Sequence, residues 1–91
     1  MDRQAYFRKL QYRAHHRGTR EADAMVGGFF DNYHTSWSED DCAWFERLME
    51  EQDVDIMGWA MGTIKVPAAF EGDMINTLKR LDFISLPPGI K

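Results

Sequence analysis

The clearest fold signal in the sequence is residues 38–49, SEDDCAWFERLM. Ser38 is a favoured helix N-cap residue, and the three acidic residues after it stand where the helix dipole attracts negative charge. Phe45, Leu48 and Met49 then follow at helical spacing and share one apolar face. The stretch therefore predicts an amphipathic helix that begins just after Ser38.

Two helices are predicted upstream of this segment. Phe7, Leu10 and Ala14 form one apolar stripe and predict the first helix. A second helix should begin around Gly18, and residues 32–37 should form the loop that follows it. Its apolar face consists of Ala22, Met25, Val26, Phe29, Phe30 and Tyr33. Because glycine costs about 1 kcal/mol relative to alanine in a helix, the pair at 27–28 indicates a kink or a close approach by another helix.

Two more helices are predicted downstream. Asp53 is a plausible cap for a short helix whose apolar face includes Ile56 and Trp59, and Gly62 is expected to end that helix. A last helix is expected to begin near Pro67, because proline is tolerated in the first turn. Its apolar residues would be Phe70, Met74, Ile75, Leu78 and Leu81.

These patterns predict an all-α fold. No segment of four or more residues alternates cleanly between apolar and polar side chains, as a half-buried strand would. A chain of 91 residues supports one hydrophobic core. We therefore expect a compact five-helix bundle in a single domain over residues 1–86. Residues 87–91, PPGIK, cannot continue a helix and are expected to form a flexible C-terminal tail.

Residues that could support catalysis or metal binding are scarce or badly spaced. Cys42 is the only cysteine, so it cannot form an intramolecular disulfide, and we expect it to pack as a small apolar residue. His15 and His16 would point about 100° apart on a helix and cannot easily chelate one ion. The sequence contains no glycine-rich phosphate loop and no nucleophile elbow. We therefore expect no metal site and no catalytic residue.

Charge is distributed unevenly along the chain. The segment 1–20 holds six basic residues against Asp2 alone, a net charge of +5, so the rest of the chain carries −9 towards the total of −4. Such a dipolar molecule can orient its approach to a protein partner, although solvated helix faces would give the same pattern. Tyr6, Phe7 and Tyr12 lie among the basic residues, which would also suit nucleic acid. The negative total charge argues against that partner.

The sequence also bears on localisation. No apolar run approaches the roughly 20 residues that a membrane-spanning helix needs. The N-terminal residues lack the apolar stretch of a secretory signal. We therefore expect a cytoplasmic protein without a membrane span.

Residues 17–21, RGTRE, lie at the predicted junction between the first two helices. Gly18 can adopt a backbone conformation that other residues avoid, and Glu21 stands where a carboxylate can reach the free amides of a helix start. These local roles leave Arg17 unexplained, since its charge lies where the helix N-terminus is already positive. An unfavourable local choice often indicates a residue that a partner uses. On the residues alone, a contact role and a purely structural role are equally supported.

This segment resembles a known family. Arg17, Gly18 and Glu21 reproduce the RGxxE signature of the SdhE (YgfY/CptB-like) FAD assembly factors of succinate dehydrogenase. The resemblance covers about residues 5–80. Further residues that match the family's pattern are Asp23, Phe29, Phe30, Phe45, Leu48, Asp53, Asp55, Ile56 and Trp59.

The resemblance implies a five-helix assembly factor that is not an enzyme. Family members bind the flavoprotein subunit of succinate dehydrogenase, and in some bacteria that of fumarate reductase. They promote the covalent bond between FAD and a histidine of that subunit. FAD is then the cofactor of the client, and we expect the domain itself to hold no cofactor stably and to be a monomer.

The resemblance also implies a partner-binding surface at the RGxxE segment. Arg17 is expected to offer an open guanidinium to a carboxylate or carbonyl of the client. The predicted partner-binding residues are Arg17, Gly18 and Glu21, with His16, Arg20 and Asp23 as further candidates. Two other functions stay open: an antitoxin-like or nucleic-acid-associated regulatory protein, and a helical adaptor with a different client.

Overall fold

The structure is a computed structural model that describes residues 2–83. Over these residues the chain forms five α-helices and two short 3-10 turns, without a strand. The helices are α1 (Arg3–His15), α2 (Arg20–Tyr33), α3 (Glu39–Met49), α4 (Asp53–Met61) and α5 (Asp73–Leu78). The predicted all-α, five-helix fold is confirmed. The predicted domain end at residue 86 and the tail at 87–91 lie outside the described residues.

Helix α3 begins as the sequence predicts. The Ser38 hydroxyl accepts a hydrogen bond from the Asp41 amide at 3.1 Å, and the Asp41 carboxylate accepts one from the Ser38 amide at 3.1 Å. This reciprocal pair satisfies two amides that have no partner within the helix. The N-terminus of α3 is therefore fixed by local sequence.

The core is built around Phe29 and Phe30 of α2, whose side chains are fully buried. The Phe45 ring of α3 lies 6.1 Å from the Phe29 centroid and 5.6 Å from the Phe30 centroid. Trp37, in the α2–α3 connection, lies 4.9 Å from Phe45. Such offset and tilted aromatic pairs are favourable beyond their buried area. The apolar face predicted for the second helix thus forms the centre of the molecule.

Two predicted element boundaries are wrong, and a third is confirmed. Residues 32–37 are not one loop, because α2 runs to Tyr33 and His34–Ser36 forms a 3-10 turn. Asp53 is the first residue of α4, and Gln52 is its N-cap. Gly62 ends α4 in the left-handed conformation at φ 80°, as predicted.

The predicted last helix is divided in two. Pro67 precedes the 3-10 turn Ala68–Phe70, and α5 begins only at Asp73. Gly72, at φ 138°, separates the two pieces in a conformation that suits only glycine. Phe70 still contributes to the core, because its buried ring lies 5.1 Å from the Trp59 ring and 5.8 Å from the Trp44 ring. The Trp44 indole also donates a hydrogen bond to the Phe70 carbonyl at 3.2 Å.

The glycine pair at 27–28 does not break α2. It marks a close approach instead. A Cβ on Gly27 would lie 2.4 Å from the His15 ring, and a Cβ on Gly28 would lie 2.9 Å from the Phe83 carbonyl oxygen. The neighbours are the last residue of α1 and the segment after α5, not the middle of another helix. Of the two predicted explanations, close approach is the one that the structure supports.

None of the helices within residues 2–83 combines the length and the apolar character that crossing a bilayer requires.

Candidate functional site: the turn between α1 and α2

The RGxxE residues span the tight turn that joins α1 to α2 and the first residues of α2. Gly18 adopts φ +117°, a conformation that side-chain-bearing residues rarely take, and open space surrounds the position where a Cβ would lie. Thr19 is the N-cap of α2, and its hydroxyl accepts a hydrogen bond from the Ala22 amide at 3.1 Å. Backbone geometry and helix capping therefore fix the shape of this turn.

The Arg17 side chain points inward from the turn to the junction of α3 and α4. Its Nε donates to the Asp53 carboxylate at 2.7 Å, and the side chains of this ion pair are 11% and 25% exposed. One terminal nitrogen donates to the Met49 carbonyl at 3.0 Å, and the other donates to the Glu51 carbonyl at 2.8 Å. One guanidinium thus joins the α1–α2 turn to the end of α3 and the start of α4.

The position of this guanidinium is electrostatically favourable. It lies beside the C-terminal carbonyls of α3, where the helix dipole attracts positive charge. Its carboxylate partner is in the first turn of α4, where the dipole attracts negative charge. The contact therefore stabilises two helix ends in addition to satisfying Arg17 and Asp53.

Asp23 fixes the backbone of the same turn. Its carboxylate accepts a hydrogen bond from the Arg17 amide at 2.6 Å. Asp23 is partly buried, because it lies in the first turn of α2 and faces the residues that precede the helix. Asp23 and Arg17 together hold the turn from two sides.

The other predicted residues face solvent. His16, Gly18, Arg20 and Glu21 are exposed. Within residues 2–83, the side chains of Arg20 and Glu21 make no hydrogen bond or ion pair that would hold them against the domain. The imidazole of His16 stacks on the Tyr12 ring, with centroids 3.9 Å apart and planes 17° apart, and its Nδ1 lies 2.7 Å from the Tyr12 carbonyl.

The structure thus exchanges the roles that the sequence suggests for Arg17 and Glu21. Glu21 was expected to reach the free amides of α2, but the Thr19 hydroxyl makes that contact. Arg17 was expected to be open, but the domain itself supplies the carboxylate and the carbonyls that its guanidinium binds. Arg17 now has a structural role, and Glu21 is the motif side chain without an internal partner among the described residues. Contact of a partner with Arg17, and with the five other predicted residues, stays a prediction.

Sequence reasoning missed two contacts at this site. The pairing of Arg17 with Asp53 joins residues far apart in the chain, and no local pattern signals it. The stacking of Tyr12 on His16 could have been predicted, because residues four apart on a helix are neighbours. The predicted site residues therefore come together as an inner pair, Arg17 and Asp23, and an outer group.

Metal-binding and nucleophilic groups do not cluster here. Within residues 2–83, no three histidine, cysteine or acidic side chains lie close enough to hold a metal ion. Cys42 is buried in the core, as predicted, and burial raises the pKa of its thiol above the ordinary value. The chemistry available at the turn is therefore hydrogen bonding, charge and close backbone approach.

The sequence of this chain matches that of a known protein family. The family model Sdh5, described as flavinator of succinate dehydrogenase, matches residues 8–82, which include the whole turn and all five helices except the start of α1. The chain belongs to this family. Membership confirms the resemblance to this family that the sequence indicated.

Individual relatives agree with the family assignment. The chain is 32% identical over 60 residues to the FAD assembly factor SdhE of Acetobacter pasteurianus, which covers 66% of this chain and 55% of that protein. It is 31% identical over 74 residues to the mitochondrial succinate dehydrogenase assembly factor 2 of Drosophila grimshawi, which covers 79% of this chain and 50% of that protein. The chain thus spans about half the length of these curated relatives. No solved structure matches it significantly.

Proposed function

We propose that this protein binds the flavoprotein subunit of succinate dehydrogenase and promotes covalent attachment of FAD to that subunit. The family is described as flavinator of succinate dehydrogenase, and the relatives are named as FAD and succinate dehydrogenase assembly factors. The flavoprotein of fumarate reductase is a second client in this proposal. The protein acts in the cytoplasm as a monomer.

The observation that carries the proposal is that some side chains of the α1–α2 turn point inward and fix its shape, whereas others point into solvent. Inside, Arg17 and Asp23 fix the turn with hydrogen bonds of 2.6 to 3.0 Å. Outside, the charged side chains of Arg20 and Glu21 have no internal partner among residues 2–83. We call this outer surface the contact turn: His16, Gly18, Arg20 and Glu21. A rigid loop with free charged groups is suited to binding, because little conformational entropy is lost when a partner docks.

Each residue of the contact turn has a separate role in the proposal. Glu21 accepts charge-assisted hydrogen bonds from cationic or amide groups of the client, and Arg20 binds a carboxylate. Gly18 lets the two backbones approach closely, because it has no side chain and open space lies around it. His16, stacked on Tyr12, adds a flat aromatic edge. Arg17 and Asp23 are positioning residues that act through the backbone of the turn.

The protein contributes binding energy and no catalytic group. The client's own histidine and FAD form the bond, and the assembly factor stabilises a client conformation in which they are held close together. Correct positioning of reacting groups is worth several kcal/mol and can reach about 7–11 kcal/mol. FAD belongs to the client throughout, so the domain needs no flavin site of its own.

The decisive experiment compares Glu21→Gln with Glu39→Gln. Both residues are exposed glutamates in the first turn of a helix, so both variants lose the same charge in the same dipole environment. Each variant is co-expressed with the flavoprotein subunit in cells without another assembly factor. The readout is covalent flavin fluorescence of the subunit on a denaturing gel.

We expect Glu21→Gln to lower flavinylation at least 10-fold and Glu39→Gln to leave it at the wild-type level. The reason is that a central charged contact can contribute about 2 kcal/mol or more to binding. Equal flavinylation by both variants would remove Glu21 from the site. Equal flavinylation with and without the wild-type protein would refute the proposed function itself.

A further inference from the structure

Helix α4 has an apolar face that the described part of the domain does not cover. Val54 is 65% exposed, Met61 is 61% exposed and Ile64, just after the helix, is 39% exposed. Across residues 2–83, the only other exposed large apolar side chain is Tyr12. The exposed apolar surface is therefore concentrated on one helix and the residues that follow it.

These side chains form one stripe. Each residue advances by about 100° around an α-helix, which places Met57, Met61 and Val54 within about 60° of arc. The opposite side of α4 carries Ile56 and Trp59, which are buried in the core. Helix α4 is therefore apolar on its outer side as well as on its inner side. Asp53 and Asp55, both in the first turn, are the only charged residues of this helix. A cluster of exposed apolar side chains of this kind often marks an interaction site.

Ile64 extends the stripe beyond the end of the helix. The chain turns back after Gly62, and the amides of Thr63 and Ile64 donate to the Gly58 carbonyl at 2.9 and 3.1 Å. The Ile64 side chain then lies against Gly58, where an added Cβ would be 2.4 Å from its Cδ1 atom. We call Val54, Met57, Met61 and Ile64 the α4 stripe.

The stripe is continuous with the α1–α2 turn. Asp53, the first residue of α4, receives the Arg17 guanidinium at 2.7 Å. Met57 follows four residues later and lies about 40° around the helix from Asp53. It is partly buried against the core, so the stripe begins with a half-covered side chain next to this ion pair. The side chain that anchors the turn is thus also at the edge of the exposed apolar face.

The charges near the stripe restrict what can cover it. Glu51 and Asp55 lie at the N-terminal end of α4 and are partly exposed, whereas Arg17 is already paired with Asp53. This end of the stripe is therefore negative, whereas the exposed Lys65 follows Ile64 at the other end. The negative end would repel an anionic lipid surface and would attract a protein surface whose apolar patch is bordered there by lysine or arginine side chains.

We infer that the α4 stripe is the second part of the surface that docks on the flavoprotein subunit, against an apolar patch of that subunit bordered by cationic side chains. This inference rests on the proposed function. The contact turn supplies charge and backbone contacts, and the stripe supplies the apolar area that a stable interface needs at its centre. The Arg17–Asp53 pair holds the two parts in a fixed relation.

The test measures affinity for the purified flavoprotein subunit by isothermal titration calorimetry. Met61→Lys places a charge in the stripe, and Ala43→Lys places the same charge at an exposed site of α3 outside it. Val54→Thr removes apolar character with almost no change of shape. We expect at least a 10-fold increase in Kd for Met61→Lys, a smaller increase for Val54→Thr and less than a 2-fold change for Ala43→Lys.

The substituted side chains are exposed in the wild type, so we expect all three variants to fold normally. Circular dichroism and urea unfolding of the same variants check this. If the wild type binds and Met61→Lys binds as tightly as Ala43→Lys, the stripe is not part of the interface and the proposed function is unaffected. If the wild type does not bind the subunit, both proposals are refuted.

Two other occupants would overturn the inference. Sedimentation velocity would reveal a second copy of this chain as the occupant if the wild type dimerised, Met61→Lys did not, and both bound the flavoprotein equally. Flotation with vesicles of phosphatidylglycerol and phosphatidylcholine would indicate a membrane if the wild type bound them and Met61→Lys did not. We expect the wild type to remain monomeric and to leave the vesicles unbound.

Discussion

Two ion pairs connect the first helical region to the α3–α4 region, and they differ sharply in their surroundings. Arg17 and Asp53 are 11% and 25% exposed, whereas Arg13 and Glu50 are 45% and 69% exposed. Arg17 also binds two backbone carbonyls, and the Arg13 side chain binds Glu50 alone among the described residues. The same type of ion pair is therefore a partly buried anchor at one place and a solvated surface contact at the other.

The comparison also explains the uneven charge of the sequence. The basic N-terminal segment and the acidic middle of the chain meet within the molecule, at Arg17–Asp53 and at Arg13–Glu50. Tyr6 adds a hydrogen bond to Glu46 on the same side of α1. The opposite charges thus hold α1 against α3 and α4, and they are only partly available to a partner.

The largest expected effect is that of Arg17→Ala. Loss of the guanidinium leaves the Asp53 carboxylate and two carbonyls without their donors in a poorly hydrated position. We expect the free energy of unfolding to fall by about 2–3 kcal/mol. Urea denaturation followed by circular dichroism measures it.

Arg17→Lys is the matched control for that prediction. Lysine keeps the charge but lacks the planar fork that reaches three acceptors at once. We expect an intermediate loss of stability. A change below about 0.5 kcal/mol for Arg17→Ala would mean that the inner contacts are no stronger than those of an ordinary surface arginine.

Local sequence predicts those parts of the fold that depend on local contacts. The start of α3 follows from Ser38 and its acidic neighbours, and the end of α4 follows from Gly62. The direction of Arg17 could not be predicted, because its three acceptors belong to the distant α3–α4 junction. The sequence therefore indicates the segment of the candidate site, and the tertiary structure decides which of its side chains point outward.

The next largest effect concerns the backbone beside Arg17. Gly18 has φ +117°, so Gly18→Ala should cost about 1–2 kcal/mol through backbone strain, since no atom obstructs the new Cβ. Gly62→Ala is the reference for backbone strain alone, because Gly62 is also exposed, has a positive φ and lies away from the Arg17 turn, at the C-cap of α4. Thermal unfolding should show losses for both variants. A fully stable Gly18→Ala would mean that the turn tolerates another backbone conformation.

A smaller effect on stability is expected when the pH is raised, because Tyr6 of α1 is a half-buried titratable group. Burial, together with the hydrogen bond to Glu46, raises the pKa of Tyr6 above its ordinary value of 10.0. The folded state therefore holds the Tyr6 proton more tightly than the unfolded state does, and this stabilisation is complete below about pH 10 and is lost as the pH rises further.

Urea midpoints measured from pH 8 to 12 test this directly. Wild type should lose stability more steeply above pH 10 than Tyr6→Phe does, and the two curves should run parallel below pH 9. Parallel curves over the whole range would show that the Tyr6–Glu46 contact is absent in solution.

The smallest expected effect is that of Arg13→Ala, which tests the exposed side of the comparison. Both side chains of the Arg13–Glu50 pair are largely exposed, so solvent and salt screen the pair and its side chains lose entropy when they associate. We expect a change in the free energy of unfolding of no more than about 0.5 kcal/mol, and a smaller one at high salt. Arg17→Ala should retain most of its larger loss in the same salt, because the Arg17–Asp53 pair is partly shielded from solvent. A loss for Arg13→Ala as large as that for Arg17→Ala would mean that burial is not what separates the two pairs.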